Sequence, residues 1–397
     1  MTHRAPMAAP NDRHEALAIY LDLLRWVAAF AVLLAHVRHL VLVDLKFAVQ
    51  PSVAIKAFYL VTGFGHEAVI VFFVLSGYLV GGTTLQKWQR SGVDLGGYFA
   101  ARISRIYTVL LPALFLGVVL DQVGLTWFDV SHIYSDPTSY RTVSMPEPIG
   151  ARLTPMTLAG NVLMLQGIAV PVLGSNGPLW SLSWEWWYYC LFAFALVPLY
   201  RRDLLGALCG GLAVVGLLLL PGKLLVWGLI WLLGLAVHWG AQRGLRLPWP
   251  WAWALLLVGA LLVSRLGHNV NNAEAPESMA VDFARDLMVA LPLAVLLVSL
   301  HGSRLKPPKF GVFHAALAGF SYTTYLCHFP IFLLMVAVLH DVVGVKFNLQ
   351  PDAAGILYAV ILSLLTYCVC WVLAWGTERH TPAVRRFVNR CLSGKSL

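Results

Sequence analysis

The sequence predicts an all-α membrane protein, a bundle of about ten transmembrane helices with the N- and C-termini in the cytoplasm. Three observations lead to this prediction. Of the 397 residues, 59% are hydrophobic and only 12% are charged, whereas a typical soluble protein has about 25% charged residues. Apolar stretches of the roughly 20 residues that a bilayer requires recur along the whole chain. The lysines and arginines lie between these stretches and favour one side.

We place the membrane-spanning helices at ten apolar segments, which are residues 18–43, 67–85, 103–120, 180–200, 204–220, 224–240, 249–265, 283–300, 319–340 and 353–375. The transmembrane domain is thus predicted to cover 18–376, between cytoplasmic tails at 1–17 and 377–397. An extracytoplasmic loop is expected near 121–157. Residues 158–172 are apolar but short and bounded by glycine and proline, so they are predicted to form a re-entrant or interfacial element.

Charge sets the predicted orientation, because lysine and arginine collect on the cytoplasmic side of membrane proteins. With the N-terminus inside, most basic clusters become cytoplasmic. These clusters lie at 87–105, 201–202, 243–246, 304–309 and 379–395. We therefore expect a multi-pass protein of the inner (cytoplasmic) membrane. The formal charge of +9 reflects this orientation and does not indicate a nucleic-acid partner.

The six cysteines indicate neither a disulfide framework nor a metal site. Five lie in apolar segments, Cys391 lies in the C-terminal tail, and no Cys-X-X-Cys pair occurs. We predict no metal and no permanently bound cofactor.

The first span carries two ionisable side chains, Arg25 and His36, and is predicted to form a wall of the active site. They are eleven positions apart, which is almost three turns of α-helix, so both fall on one stripe about 16 Å apart along the axis. Such groups are costly in hydrocarbon and should face the bundle interior or a water-filled cavity. Asp22 is spaced to hold the Arg25 guanidinium. A lone histidine is often a core residue, but Arg25 on the same stripe favours His36 as a general base.

Small residues mark the second span at Ser76 and Gly77. They would let two helices pack closely, and they would equally let the backbone approach a ligand. The sequence leaves both interpretations open.

Basic residues cluster around the start of the third span. Arg102 and Arg105 are one helical turn apart, and Lys87 and Arg90 precede them. Two guanidinium groups on one face can chelate a phosphate. A positive anchor at the cytoplasmic surface is the alternative interpretation.

Three ionisable residues of the later segments need partners. Glu185 lies among aromatic side chains in the fourth span and would need Arg25 or a substrate hydroxyl. His328 comes two residues before Pro330, so it either bonds the backbone that this proline leaves unpaired or belongs to the site. Glu378 is interpreted most simply as a helix-end charge.

Together these segments resemble the acyltransferase 3 family of membrane O-acyltransferases. The resemblance rests on five motifs in family order. They are Arg25 with His36, Phe72 to Tyr78, Arg102-Ile-Ser-Arg105, Trp180 to Glu185 with Tyr188, and Ser321-Tyr322 with Tyr325, His328 and Pro330. The chain departs from many members after Glu378, where they carry a tighter Glu-X-Pro. We expect a stand-alone member without a fused hydrolase-like domain.

The resemblance implies acyl transfer from cytoplasmic acyl-CoA, with acetyl-CoA expected, to a hydroxyl of an extracytoplasmic or lipid-linked carbohydrate. It implies essential roles for Arg25 and His36 and places Arg102 and Arg105 near the donor. His36 would act as general base or transient acyl carrier. The expected catalytic residues are His36, Arg25 and Glu185; the donor-binding residues are Arg102, Arg105, Ser76, Gly77, Lys87 and Arg90; further candidates are Asp22, Tyr188, Tyr325 and His328.

A transporter or flippase is the alternative from another class, in which buried arginine, histidine and glutamate form a pathway without covalent chemistry. The broken helices and inverted repeat that indicate such proteins are not apparent in the sequence. An inactive relative within a complex is a third interpretation, which the presence of Arg25 and His36 disfavours. Expected partners are acyl-CoA, a carbohydrate or glycolipid acceptor, the lipid bilayer, and either a second copy or a separate periplasmic protein.

Overall fold

A computed structural model describes residues 10–140, 145–270, 278–303 and 308–392. Parts of both predicted tails, part of the predicted loop at 121–157 and part of the basic cluster at 304–309 lie outside these residues. Within the described ranges the ordered elements are helices, and pairing between extended segments is limited to two isolated bridges. The all-α prediction is therefore confirmed.

The α-helices differ widely in length. In chain order they are α1 (Pro10–Val41), α2 (Val53–Val61), α3 (Gly65–Ser76), α4 (Thr83–Ser91), α5 (Leu95–Trp127), α6 (Pro155–Val162), α7 (Trp180–Tyr200), α8 (Leu204–Leu219), α9 (Gly222–Gln242), α10 (Pro250–Val270), α11 (Met279–Gly302), α12 (Gly311–Ala318), α13 (Ser321–Val338), α14 (Ala353–Gly376) and α15 (Thr381–Leu392). A π-helical segment, Gly77–Gly82, joins α3 to α4.

Among the described residues, seven helical segments are long and apolar enough to cross a membrane. They are Glu15–Val41, Val53–Ser91, Leu95–Trp127, Gly222–Gln242, Met279–Gly302, Ser321–Val343 and Ala353–Cys391. The protein is thus a multi-pass α-helical membrane protein. Each of the other three predicted spans coincides with a helix. Helix α8 and the apolar part of α10 are shorter than those seven segments, and the apolar character of α7 is lowered by serine, glutamate and tyrosine residues. The count of ten spans and the cytoplasmic placement of the termini remain predictions.

By its contacts the chain divides into two compact units, a division that the sequence did not predict. The first unit contains α1 up to Ala28, residues 67–90 and residues 225–319. The π-helical segment that follows α3 approaches α9 closely, since a Cβ on Gly77 would lie 1.8 Å from the carbonyl oxygen of Trp231. The glycine is needed because any side chain there would force the two backbones apart.

The second unit contains residues 29–66, 91–224 and the chain from Phe320 onward. Its core is an apolar cluster in which Leu33 and Val37 of α1 pack with Phe329 and Phe332 of α13. Helix α13 also packs against α5 and α14, and α15 packs along α5. Part of the predicted C-terminal tail is therefore a helix on the body of this unit.

The predicted loop and re-entrant segment have different boundaries in the structure. The loop was expected to begin at Asp121, but α5 continues to Trp127 and buries Asp121. The buried carboxylate is tolerated because it accepts the backbone N–H of Ser175 at 2.8 Å. Residues 158–172 are no single element, since they comprise the end of α6 and a non-helical segment. Their re-entrant or interfacial placement remains a prediction.

Candidate active site

His36 and His328 form a hydrogen-bonded pair in the second unit. His36 Nδ1 lies 3.0 Å from His328 Nε2, and 292 residues separate the two in sequence. His328 is fully buried, whereas His36 keeps partial exposure. The sequence named each histidine separately and did not predict that they touch. The sequence did contain one indication of the contact, because each histidine is a polar side chain within an apolar span and so needs a polar partner.

The other ring nitrogen of His328 faces the backbone. Its Nδ1 lies 2.9 Å from the Thr324 carbonyl oxygen and 3.0 Å from that of Tyr325. His328 therefore bonds backbone and also touches His36, and its role in the site stays a prediction. The backbone role differs from the predicted one, because Pro330 frees the Leu326 carbonyl, and the Asn176 side-chain amide donates to that carbonyl at 2.7 Å.

Aromatic rings enclose the histidine pair. Phe329 meets the His36 ring edge to face at 5.4 Å between centroids, and Phe332 stacks on His328 at 6.2 Å. These apolar walls lower the local dielectric and strengthen the hydrogen bond between the rings. Of the two residues, His36 is partly exposed and His328 is fully buried.

Arg25 lies in the first unit with the partner that its spacing predicts. Arg25 Nη1 donates to Asp22 Oδ1 at 3.3 Å, and both side chains keep part of their exposure. Beside them, Trp26 Nε1 donates to His314 Nδ1 at 3.2 Å and so fixes α1 against α12. The guanidinium is therefore held in a defined direction while remaining partly accessible.

Arg102 and Arg105 both lie over aromatic rings of the second unit. The Arg102 guanidinium carbon is 5.5 Å from the Tyr98 ring centre and 5.8 Å from that of Tyr189. Arg105 lies 5.5 Å from the Tyr322 ring centre. A cation–π contact uses the flat face of a guanidinium, so its in-plane N–H groups can still donate to a phosphate. This geometry is compatible with both the phosphate and the anchor interpretation.

Glu185 joins this cluster through tyrosine. The Tyr189 hydroxyl donates to Glu185 Oε1 at 2.5 Å, and Tyr189 is one of the rings under Arg102. The Tyr322 hydroxyl interacts electrostatically with Glu185 and Arg105. The sequence did not predict Tyr189 as a partner of Glu185, and a contact of Glu185 with a substrate hydroxyl stays a prediction. The structure thus brings Glu185, Arg102 and Arg105 into one neighbourhood.

The two remaining tyrosine candidates hold helices in place. The Tyr188 hydroxyl donates to the Leu224 carbonyl at 3.0 Å. The Tyr325 hydroxyl lies 2.6 Å from Ser181 Oγ and 3.3 Å from the Pro178 carbonyl oxygen. These contacts support positioning roles at the start of α7, and a direct role in the site remains a prediction.

In the first unit, Ser76 and Gly77 serve helix packing. Trp231 Nε1 donates to Ser76 Oγ at 3.0 Å, beside the close approach at Gly77. These contacts support the packing interpretation, while a ligand-lining role stays a prediction. Lys87 and Arg90 are exposed on α4, so they are accessible to an anionic ligand.

Glu378 is more than a helix-end charge, which corrects the sequence interpretation. One carboxylate oxygen accepts the Thr323 backbone N–H at 3.0 Å and the Thr323 hydroxyl at 3.2 Å. Thr323 lies in the first turn of α13, whose N–H groups have no partners within the helix. An acidic side chain 55 residues away thus caps the helix that carries His328, and no local pattern reveals such a contact.

Replacing Glu378 by alanine should lower the free energy of unfolding by about 1–2 kcal/mol, because the first turn of α13 loses its acceptor. Glu378→Gln keeps an acceptor oxygen and should cost less than about 1 kcal/mol. Thermal unfolding of the detergent-solubilised protein measures both. A stable Glu378→Gln protein without acyl-transfer activity would contradict a purely structural role.

The fold and the site define a multi-pass α-helical membrane protein with a hydrogen-bonded histidine pair and an arginine–tyrosine–glutamate cluster. The family model described as an acyltransferase domain, that of the acyltransferase 3 family, matches residues 18–375. The chain therefore belongs to the acyltransferase 3 family and is an acyltransferase, as the motifs predicted. Searches of curated proteins and of solved structures gave no match.

Proposed function

We propose that this protein transfers an acyl group, with acetyl expected, from cytoplasmic acyl-CoA to a hydroxyl of an extracytoplasmic or lipid-linked carbohydrate. The family match over residues 18–375 carries the proposal. The histidine pair supports it, since the imidazole of a partly exposed residue held by a buried partner suits general-base catalysis.

The reaction is acyl transfer from sulfur to oxygen. His36 takes the proton of the acceptor hydroxyl while the oxygen attacks the thioester carbonyl. The tetrahedral intermediate collapses, the carbon–sulfur bond breaks, and the proton passes from His36 to the leaving sulfur. The products are the ester and the free thiol of CoA. In the alternative relay, the His36 ring first carries the acyl group and a second step passes it to the hydroxyl.

Arg102 and Arg105 are the proposed contacts for the CoA phosphates. Each guanidinium lies over a tyrosine ring, and a guanidinium whose in-plane N–H groups are unused by the ring can bind an anion in bidentate fashion. Glu185 would hold this cluster in position through its hydrogen bond with Tyr189. The proposed roles of Arg25, Ser76, Gly77, Lys87 and Arg90 in the first unit rest on the sequence and the family resemblance.

Labelled acetyl-CoA with the purified full-length protein in nanodiscs tests the proposal. Lipid and glycan extracts from cells that lack the gene serve as acceptor. We expect label on an acceptor and release of an equal amount of CoA thiol, and mass spectrometry should show the gain of one acyl group. No thiol release with any envelope extract or acyl-CoA would overturn the proposal and leave transport as the alternative.

The same assay without acceptor separates the two reaction schemes. Direct transfer predicts no label on the washed protein, since the donor stays intact until a hydroxyl attacks. A relay predicts one labelled site per active protein, lost in His36→Ala. Either result is compatible with acyl transfer, so this comparison concerns the path of the acyl group only.

A further inference from the structure

We propose that His328 is a positioning residue that fixes the tautomer of His36, so that His36 Nε2 is the nitrogen that removes the proton from the acceptor hydroxyl. The inference rests on the proposed function, in which His36 is the base. It adds the atom that acts and the residue that selects it.

The protonation of His328 follows from its backbone contacts. Its Nδ1 faces two carbonyl oxygens, at 2.9 Å from Thr324 and 3.0 Å from Tyr325. Carbonyl oxygens only accept hydrogen bonds, so Nδ1 must carry hydrogen. A neutral imidazole has one N–H. The Nε2 of a neutral His328 therefore presents a lone pair.

The charged form of His328 is disfavoured by its surroundings. The side chain has 0% exposure, and its ring neighbours are His36, Tyr325, Phe329 and Phe332. A second proton would place a positive charge among apolar rings, and it would leave two N–H groups facing each other unless His36 turned its lone pair inward. Buried charge without a compensating partner is costly.

The tautomer of His36 follows in turn. His328 Nε2 accepts, so the group that faces it at 3.0 Å, His36 Nδ1, must donate. With Nδ1 protonated, the neutral His36 ring keeps its lone pair on Nε2. Two carbonyls of α13 thus favour this tautomer through one intervening ring, and the His36 side chain also has a backbone hydrogen-bond partner in its own helix, Val32.

This arrangement serves both proton transfers. When Nε2 takes the hydroxyl proton, the resulting imidazolium continues to donate from Nδ1 to His328, which spreads the charge and holds the ring plane. When the carbon–sulfur bond breaks, the same Nε2 returns the proton to sulfur. An orienting group of this kind matters because a base in the wrong tautomer has no lone pair where the proton leaves.

Two amide substitutions separate positioning of His36 from support of the backbone. In His328→Gln the amide oxygen can extend to the region of the imidazole Nε2 and accept from His36. In His328→Asn the shorter amide can still donate to the α13 carbonyls but cannot extend to His36. We expect His328→Gln to keep kcat within about 10-fold and His328→Asn to lose roughly 10²–10⁴-fold, with the KM for acetyl-CoA unchanged. The reverse order would overturn the inference.

A spectroscopic measurement on the wild-type protein is independent of activity. Solid-state NMR of protein with ¹⁵N-labelled histidine distinguishes protonated from bare ring nitrogens, and a difference spectrum against His36→Gln identifies the His36 signals. We expect a protonated Nδ1 and a bare Nε2. A protonated Nε2 with a bare Nδ1 would overturn the inference even if both amide variants failed to fold.

The outcomes also separate this inference from the proposed function. Full activity in His36→Ala would remove His36 as the base and the inference with it. Loss of activity in His36→Ala together with the opposite tautomer would remove only the role of His328.

Discussion

His36→Ala is expected to lower kcat for acyl transfer by roughly 10²–10⁴-fold, the usual contribution of a positioned acid–base group. The substitution removes the imidazole of His36, the partly exposed residue of the pair, and leaves the buried His328 without its ring partner. Thiol release from acetyl-CoA in the presence of acceptor measures the loss. Circular dichroism and a monodisperse elution profile check that the helices persist.

The matched control for this prediction lies one turn further along α1. His39 is exposed and 3.9 Å from Asp44, so His39→Ala removes a histidine from the same helix without touching the pair. We expect its rate within a factor of about 2, because a surface ion pair contributes little. Similar rates for His36→Ala, His39→Ala and the wild type would show that the proton goes elsewhere.

Gly77→Ala is expected to give the largest loss of stability, about 3 kcal/mol or more, or no folded protein. An added Cβ would lie 1.8 Å from the Trp231 carbonyl oxygen and 2.8 Å from its carbonyl carbon. Both atoms are backbone, so no side-chain rotation relieves the clash. The reciprocal contact is as tight, since a Cβ on Gly234 would lie 2.1 Å from the Val74 carbonyl oxygen. A glycine is therefore needed on each side of this contact, at Gly77 and at Gly234.

Gly259→Ala is the control for this comparison, because Gly259 is a helical glycine of the same unit with nothing within 4 Å of an added Cβ. We expect it to match or exceed wild-type stability, since alanine favours helix over glycine. Thermal unfolding and the yield of monodisperse protein compare the two. Equal stability of the two variants would contradict the packing interpretation of Gly77.

Hydropathy and residue spacing in the sequence predicted the features that depend on neighbouring residues. Hydropathy located the helices because a span must be continuous in sequence, and the three-residue spacing of Asp22 and Arg25 predicted their ion pair. The family motifs placed Arg25 and His36 in the candidate site. The first two of these inferences use residues within a few turns of one another, whereas the family resemblance uses five short motifs in their order along the chain.

The contacts that sequence reasoning missed join distant segments. The His36–His328 pair brings α1 to α13, and Glu378 reaches α13 from beyond α14. A polar side chain in an apolar span indicates that a polar partner is needed, but the sequence does not identify that partner. Asp121 is a similar case. Its charge suggested that the third span ends there, but the backbone N–H of Ser175 binds the carboxylate and α5 continues.

The bond from Asn176 to Leu326 changes how α13 can move. A proline within a helix usually creates a point of bending, because one carbonyl loses its partner and the turn opens. Here a loop amide closes that gap at 2.7 Å, only two residues from His328. Bending at this turn would have to break the bond, so α13 is stiffened just where it carries the second imidazole. The loop before α7 thus restricts the bending of α13 through a single side-chain hydrogen bond.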